Sequence, residues 1–208
     1  MVKLIYPPPK KFDPVFYILK KDTIIIRAFN PDDPNYLGNP LAFRFYGPLK
    51  RFDHQRGKSD NPDDPCHDPQ RGILYAGETL SCCIVECFGD SPHLIICGNW
   101  ELAKIKLTCD LKLLSLDGSG AMKAGTCAAI EKIPNLSLTQ AWARFFYDKV
   151  LDVGGLIYSN AHNNQISFAL NERTCSALSL VDTIRLDDPG LRRALLLIAH
   201  QNGLTLDP

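Results

Sequence analysis

The sequence predicts an α+β domain, compact and with mainly antiparallel sheets flanked by helices. Three observations carry this. Apolar strand candidates in the first half alternate with helical patterns. Three more strand candidates then follow in close succession, "GLIYSNA", "QISFALN" and "LVDTIRL". A well-punctuated amphipathic segment, "LRRALLLIAHQN", closes the chain.

The elements follow in order. Residues 1–22 read as an N-terminal arm, because "YPPP" disfavours regular structure and keeps the chain extended. The domain proper is expected over 23–208. "TIIIRAF" has three consecutive β-branched isoleucines and reads as a buried strand. Residues 30–71 are rich in Pro, Asp, Asn and Gly, and "NPDDP" occurs there twice, at Asn30 and Asn61, as turn chemistry. So long an irregular segment inside a compact domain is often functional. "GILYAG" is a short strand. Leu80, Cys83, Ile84, Cys87 and Phe88 recur at helical spacing just after it. "HLIICG" and "LAKIKLTCDLKLLSL" read as strands, and "SLTQAWARFFYDKVL" as a helix capped by Ser137 or Thr139. For the last helix, Asp188 is the expected N-cap, Pro189 the first helical residue and Gly203 the stop.

Composition narrows the function classes. Lys+Arg and Asp+Glu both number 23, so no general attraction to nucleic acid or anionic membranes is expected. No apolar run is long enough to span a bilayer, and the first residues lack the apolar centre of a signal peptide. The expected location is the cytoplasm. There, eight cysteines without a CxxC pair argue for free thiols rather than a disulfide framework. Cys82, Cys83, Cys87 and Cys97 lie in apolar runs and are expected to be buried. Cys66-His67 is the most metal-like pair but lacks partners at ligand spacing, so no metal is expected.

Glu86 is the one charge between Thr79 and Gly89. It is either a solvated helix glutamate or a carboxylate in apolar surroundings that needs a cation, a hydroxyl or a ligand. Other residues also have two readings. Ser159 and Asn160 close a strand and form either a turn or part of a site. Tyr75 is a core tyrosine or a pocket wall. Arg51 is a loop arginine or an anion ligand, and Arg27 a strand residue paired with an acid or a rival to it.

In combination these segments carry a resemblance. An early "R-A" strand, an "RFDH" arginine, "RGILYA", a helix ending "VECF" and a late "GLIYS" stand in the order seen in the RES domain family. The similarity runs from about Thr23 to Leu180. It implies a fold similar to ADP-ribosyltransferases. It also implies a toxin of a bacterial toxin–antitoxin pair that breaks the nicotinamide–ribose bond of NAD⁺, with water or phosphate as acceptor. Protein ADP-ribosylation at the same site is the alternative, and a non-enzymatic partner-binding module a third reading. By resemblance Arg51, Glu86 and Ser159 are the catalytic candidates and Tyr75 an aromatic wall. Asn160 is a further substrate contact. The loop reads "KRFDH" where many relatives read "GRWN", which keeps Arg27 and Arg44 as rivals for the diphosphate clamp.

The residue types suit the chemistry. Nicotinamide is already a cationic leaving group, and its departure builds positive charge on the ribose. A carboxylate beside the ribose stabilises that charge, more strongly in apolar surroundings. An arginine grips phosphate with two prongs. Ser159 is expected to hydrogen-bond the carboxamide or a ribose hydroxyl, since no histidine stands ready to make it a nucleophile. Without a G-x-G-x-x-G motif, NAD⁺ is expected as substrate and not as a resident cofactor. The implied partner is a small helix-turn-helix antitoxin of the Xre type. The chain shows no such motif of its own, so no direct nucleic-acid contact is expected.

Overall fold

The structure, a computed structural model, describes residues 5–94 and 99–206. Its first strand, Val15–Leu19 (β1), comes from the segment expected to be an arm. Leu19 is buried there while Phe16, Tyr17 and Ile18 stay exposed, as suits a sheet edge. Ile24–Phe29 (β2) alternates as a strand with one buried face should, with Ile25, Arg27 and Phe29 inward. The irregular segment contributes two short pairing strands, Tyr46–Gly47 (β3) and Cys66–His67 (β4). Both "NPDDP" repeats are turns: Asn30 Oδ1 accepts from the Asp32 amide and Asn61 Oδ1 from the Asp63 amide.

Ile73–Gly77 (β5) leads into the helix Leu80–Phe88 (α1). Then come His93–Leu94 (β6), Glu101–Leu107 (β7), Leu111–Ser115 (β8), a single turn of helix at Gly120–Lys123 (α2) and the helix Leu136–Lys149 (α3). The rest of "HLIICG", with Cys97, lies outside the described residues. The predicted strand cluster is present as Gly155–Ser159 (β9), Ile166–Asn171 (β10) and Leu178–Arg185 (β11). The helix Arg192–Gln201 (α4) and Thr205–Leu206 (β12) follow.

Eight strands form one sheet in the order β1-β8-β9-β10-β5-β2-β7-β11. Every neighbouring pair is antiparallel except β8 with β9. The fold is therefore the expected α+β type. The β1 pairing with β8 makes the supposed arm part of this sheet. Trp142 on α3 reinforces the tie, because its indole N–H donates to the Ile5 carbonyl at 2.9 Å. Trp142 is fully buried among Phe52, Leu156, Tyr158 and Phe146. Truncating so large a core side chain costs about 3–5 kcal/mol. A second core holds α1 and α4 together through Cys83, Ile84, Val85, Leu195 and Ile198.

Three local expectations are corrected. Asn135 caps α3, accepting from the Leu138 amide at 3.0 Å, while the Thr139 hydroxyl turns back to the Leu136 carbonyl. Asp188 closes a turn by accepting from the Gly190 amide, and α4 begins only at Arg192. Cys87 is exposed, although Cys82 and Cys83 are buried as expected. Gly203 does end α4, in the left-handed region at φ 68°. Among the described residues, no helix is long and apolar enough to cross a membrane. None of the described His, Cys, Asp and Glu residues gather into a group of three that could hold a metal.

Candidate active site

The site begins with strand register. On β5, β10 and β9, Gly77, Ser167 and Tyr158 stand abreast, and Tyr75, Ala169 and Leu156 form the next row. Side chains two apart share a face, so Tyr75, Ser167 and Tyr158 project together. Gly77 lets α1 come down onto this face: a Cβ there would stand 2.9 Å from Cys82 Sγ. Thr79 starts the helix at this point by accepting from the Cys82 amide at 3.0 Å. The Cys82 thiol then fastens it to β10, reaching the Ile166 carbonyl and Ser167 Oγ at 3.1 Å each.

Glu86 lies one turn beyond Cys82 and so faces the same way. Together with Tyr75, Tyr158, Cys83 and Ser167 it lines a cleft with an empty volume of about 320 Å³, part of it open to solvent. Its side chain reaches water, yet desolvation is the main influence on it and raises its carboxyl above the ordinary glutamate range. A position at the mouth of a cleft accounts for both: the atoms are accessible while protein fills much of the surrounding volume. The charges of His162, Arg51 and Lys50 work against that rise, and Asp90 adds to it. Among the described residues, nothing donates a hydrogen bond to Glu86.

The loop opposite is organised by Asp53, which is fully buried. Its two oxygens accept from Arg44 Nη2 at 2.8 Å each, and one of them from the Tyr75 hydroxyl at 2.8 Å. The Leu49 and Lys50 amides also donate to it. The Tyr75 hydroxyl in turn accepts from the Phe52 amide at 3.1 Å. Burial raises the Tyr75 and Tyr158 hydroxyls well above the usual tyrosine range, so both stay neutral. Phe52 packs edge-on against Tyr158 with ring centres 4.7 Å apart. Arg51 follows Lys50 on this loop and donates to the Ile133 carbonyl. Its charge is felt by Glu86 and Tyr158.

The structure therefore brings Glu86 and Tyr75 into one cleft, and the charge of Arg51 acts on Glu86 from outside its lining. It does not bring the other candidates there. Ser159 stands with Ile157 on the opposite face of β9 from Tyr158. Its hydroxyl donates to Asp117 at 2.9 Å and its amide to Glu131 at 3.0 Å. Burial pushes the Glu131 carboxyl up to about 7. Asn160 is fully buried and shapes its own loop, accepting from the His162 and Asn163 amides and donating to Asn163 and Cys82. Arg27 points to the other face of β2, donates to the carbonyls of Pro40 and Ala42, and lies over the Tyr36 ring. Burial lowers its basicity. Arg44 is engaged by Asp53; burial opposes its charge, but Asp53 together with Tyr75 and Tyr36 raises its basicity on balance. The rivals of Arg51 thus hold loops together.

Sequence reasoning missed Asp53, Tyr158, Ser167 and His162. Tyr158 had a visible signal, since it alternates with Leu156 in "GLIYS". The register that sets it beside Ser167 had none.

The family model described as the RES domain matches residues 27–189. A search of curated proteins finds no match. Among solved structures, the fold is similar to a chain of the crystal structure of the M. tuberculosis MbcT-MbcA toxin-antitoxin complex. The TM-score is 0.57 at 14% sequence identity, covering 86% of this chain and 91% of that one. The family match takes in β5, α1, β9 and β10, the elements that build the cleft, and the chain belongs to the RES domain family.

Proposed function

We propose that the protein cleaves the bond between nicotinamide and ribose in NAD⁺, and that it does so as the toxin of a toxin–antitoxin pair. The observation that carries the reading is Glu86, a carboxylate at a cleft mouth with no hydrogen-bond donor of its own among the described residues. Tyr75 and Tyr158 supply neutral aromatic walls against which a nicotinamide ring can pack. As the bond to the ring lengthens, positive charge grows on the ribose, and Glu86 stabilises it and accepts from the 2′-hydroxyl. Arg51 takes the diphosphate. Ser159, with Asp117 and Glu131, fixes the end of β9 next to Tyr158 and does not touch the ring. Water or phosphate receives the ribosyl group.

The partner is proposed by the same route. The similar M. tuberculosis chain belongs to a toxin–antitoxin complex. That supports an antitoxin for this chain, and the sequence resemblance proposes the Xre type. The proposed place of action is the cytoplasm, where NAD⁺ is available.

The test is nicotinamide release from NAD⁺ by purified protein, with and without phosphate, beside Glu86→Gln. Release by the wild type, lost in the variant, supports the reading, and phosphate dependence names the acceptor. Release that appears only with a protein acceptor, together with a mass increase on that protein, replaces it with ADP-ribosyl transfer. Equal rates in wild type and variant overturn the mechanism.

A further inference from the structure

We propose that Cys87 is a covalent modification site at the Glu86 cleft, where a low-molecular-weight disulfide attaches to its sulfur and obstructs the opening. The attachment stands on the placement of the thiols alone, and its effect on turnover rests on the proposed cleavage of NAD⁺.

Helix α1 carries three cysteines, and the fold treats each differently. Cys82 is fully buried, and its thiol is engaged by the Ile166 carbonyl, Ser167 Oγ and Asn160 Nδ2. Cys83 is buried too, with its sulfur at the Ala28 amide of β2. Cys87 is exposed. All three line the cleft together with Glu86. Cys83, Glu86 and Cys87 follow at i, i+3 and i+4, so they share one side of the helix. A group bound to the Cys87 sulfur therefore lies where Glu86 reaches water.

The pairing of Cys83 with Cys87 suits a nucleophile. Cys83 donates its thiol hydrogen and Cys87 accepts it. This bond is the largest influence on Cys87 and lowers its thiol below the ordinary cysteine range. The surrounding protein and the charge of Glu86 oppose the shift, while Lys50 and Arg27 support it. The same bond, with burial, raises the Cys83 thiol well above that range. One thiol thus stays protonated as a donor, and the other is held ready as the anion, the form that attacks sulfur. Cys109 and Cys175 are exposed as well, on the links from β7 to β8 and from β10 to β11. Neither lines the cleft, and neither has a second cysteine one helical turn away.

The step is a thiol–disulfide exchange. The Cys87 thiolate attacks one sulfur of the reagent, whose S–S bond breaks as the new one forms. The other half leaves as a thiolate and takes up the proton that Cys87 gave up. Cys87 is oxidised and the departing half is reduced. Residues four apart on a helix hold their Cβ atoms about 5–6 Å apart, whereas a disulfide needs about 3.5–4.5 Å. Displacement by Cys83 would therefore distort the last turn of α1, and the mixed disulfide persists.

Reduced protein is incubated with glutathione disulfide, and the adducts are mapped by mass spectrometry in wild type, Cys83→Ala, Cys83→Ser and Cys87→Ser. We expect Cys87 to be modified about tenfold faster than Cys109 or Cys175 in the same molecule. Cys83→Ala, which removes the donor, should lose most of that preference, and Cys83→Ser, which keeps one, should retain part of it. Cys82, fully buried in the fold, reports any unfolding of a variant. Nicotinamide release is then compared with each protein's own untreated sample. Modified wild type should lose most of its release and recover it with dithiothreitol, and Cys87→Ser should show no such loss. Modification of Cys87 no faster than of the two reference cysteines overturns the proposal. So does a Cys83–Cys87 disulfide in place of the adduct, or full release by the modified protein. Where untreated wild type releases no nicotinamide, the reading of NAD⁺ cleavage fails on its own. Preferential mapping to Cys87 then still upholds the modification site, and its absence overturns it.

Discussion

Asp53 and Glu86 are both carboxylates beside Tyr75, one behind its hydroxyl and one across the cleft that its ring lines. Asp53 is fully buried and takes hydrogen bonds from a guanidinium, a phenol and two amides. Glu86 reaches solvent and accepts none among the described residues. A carboxylate that four groups already satisfy has nothing left to offer a ligand. One that lies in poorly solvating surroundings without donors gains from any positive charge brought to it. The difference separates a residue that builds the loop from one that is available for chemistry.

The comparison can be broken most severely at Asp53. Asp53→Ala leaves Arg44 buried without its counter-charge and strands the loop amides. We expect a loss of about 3–5 kcal/mol of stability, read as a lower denaturant midpoint. Glu86→Gln should leave that midpoint in place and lower nicotinamide release about 100-fold or more. A Glu86→Gln variant that melts early, or an Asp53→Ala variant that does not, would erase the distinction.

A third carboxylate sharpens it. The folded protein holds the Glu131 proton up to about pH 7, against 4.5 for an ordinary glutamate. Below the ordinary value both folded and unfolded chains are protonated, and the group has no effect. Between the two values the unfolded chain loses its proton first, so stability falls as pH rises. Glu131→Gln removes the ionisation and should stabilise the protein at pH 8 by about 2 kcal/mol, with no gain at pH 4. Thermal melts at the two pH values check this. Tyr75→Phe, which cuts the hydroxyl link to Asp53 and keeps the ring, should cost about 1 kcal/mol in denaturant unfolding. The wild-type pH–rate profile should show activity falling on acidification, with a midpoint above the usual glutamate range, as the raised Glu86 carboxyl takes up its proton.

Much of this architecture was legible in the sequence because it rests on local patterns. The isoleucines of β2, the spacing of α1 and the glycine after α4 are periodicities and stop signals that neighbouring residues decide. Caps were less legible. Asn135, Ser137 and Thr139 are all capping residue types, and only the path of the chain selects Asn135. β1 escaped notice because its pairing with β8 lies about a hundred residues away. The site divides in the same manner. Glu86 stood out as a charge in an apolar helix, and Tyr75 as a polar residue in a buried strand. Arg27 and Arg44 looked equal to Arg51, since no local pattern records that Asp53 and two loop carbonyls already hold them.

The anchoring of the Lys50 segment has a consequence for descent. Asp53, Gln140 and Tyr75 grip this loop through its amides and a carbonyl, which every residue but proline provides. The grip is indifferent to what side chain position 50 carries. That position can accumulate change without disturbing the fold or the carboxylate across from it. Substitutions at position 50 other than proline should therefore leave the denaturant midpoint of the folded protein where it is.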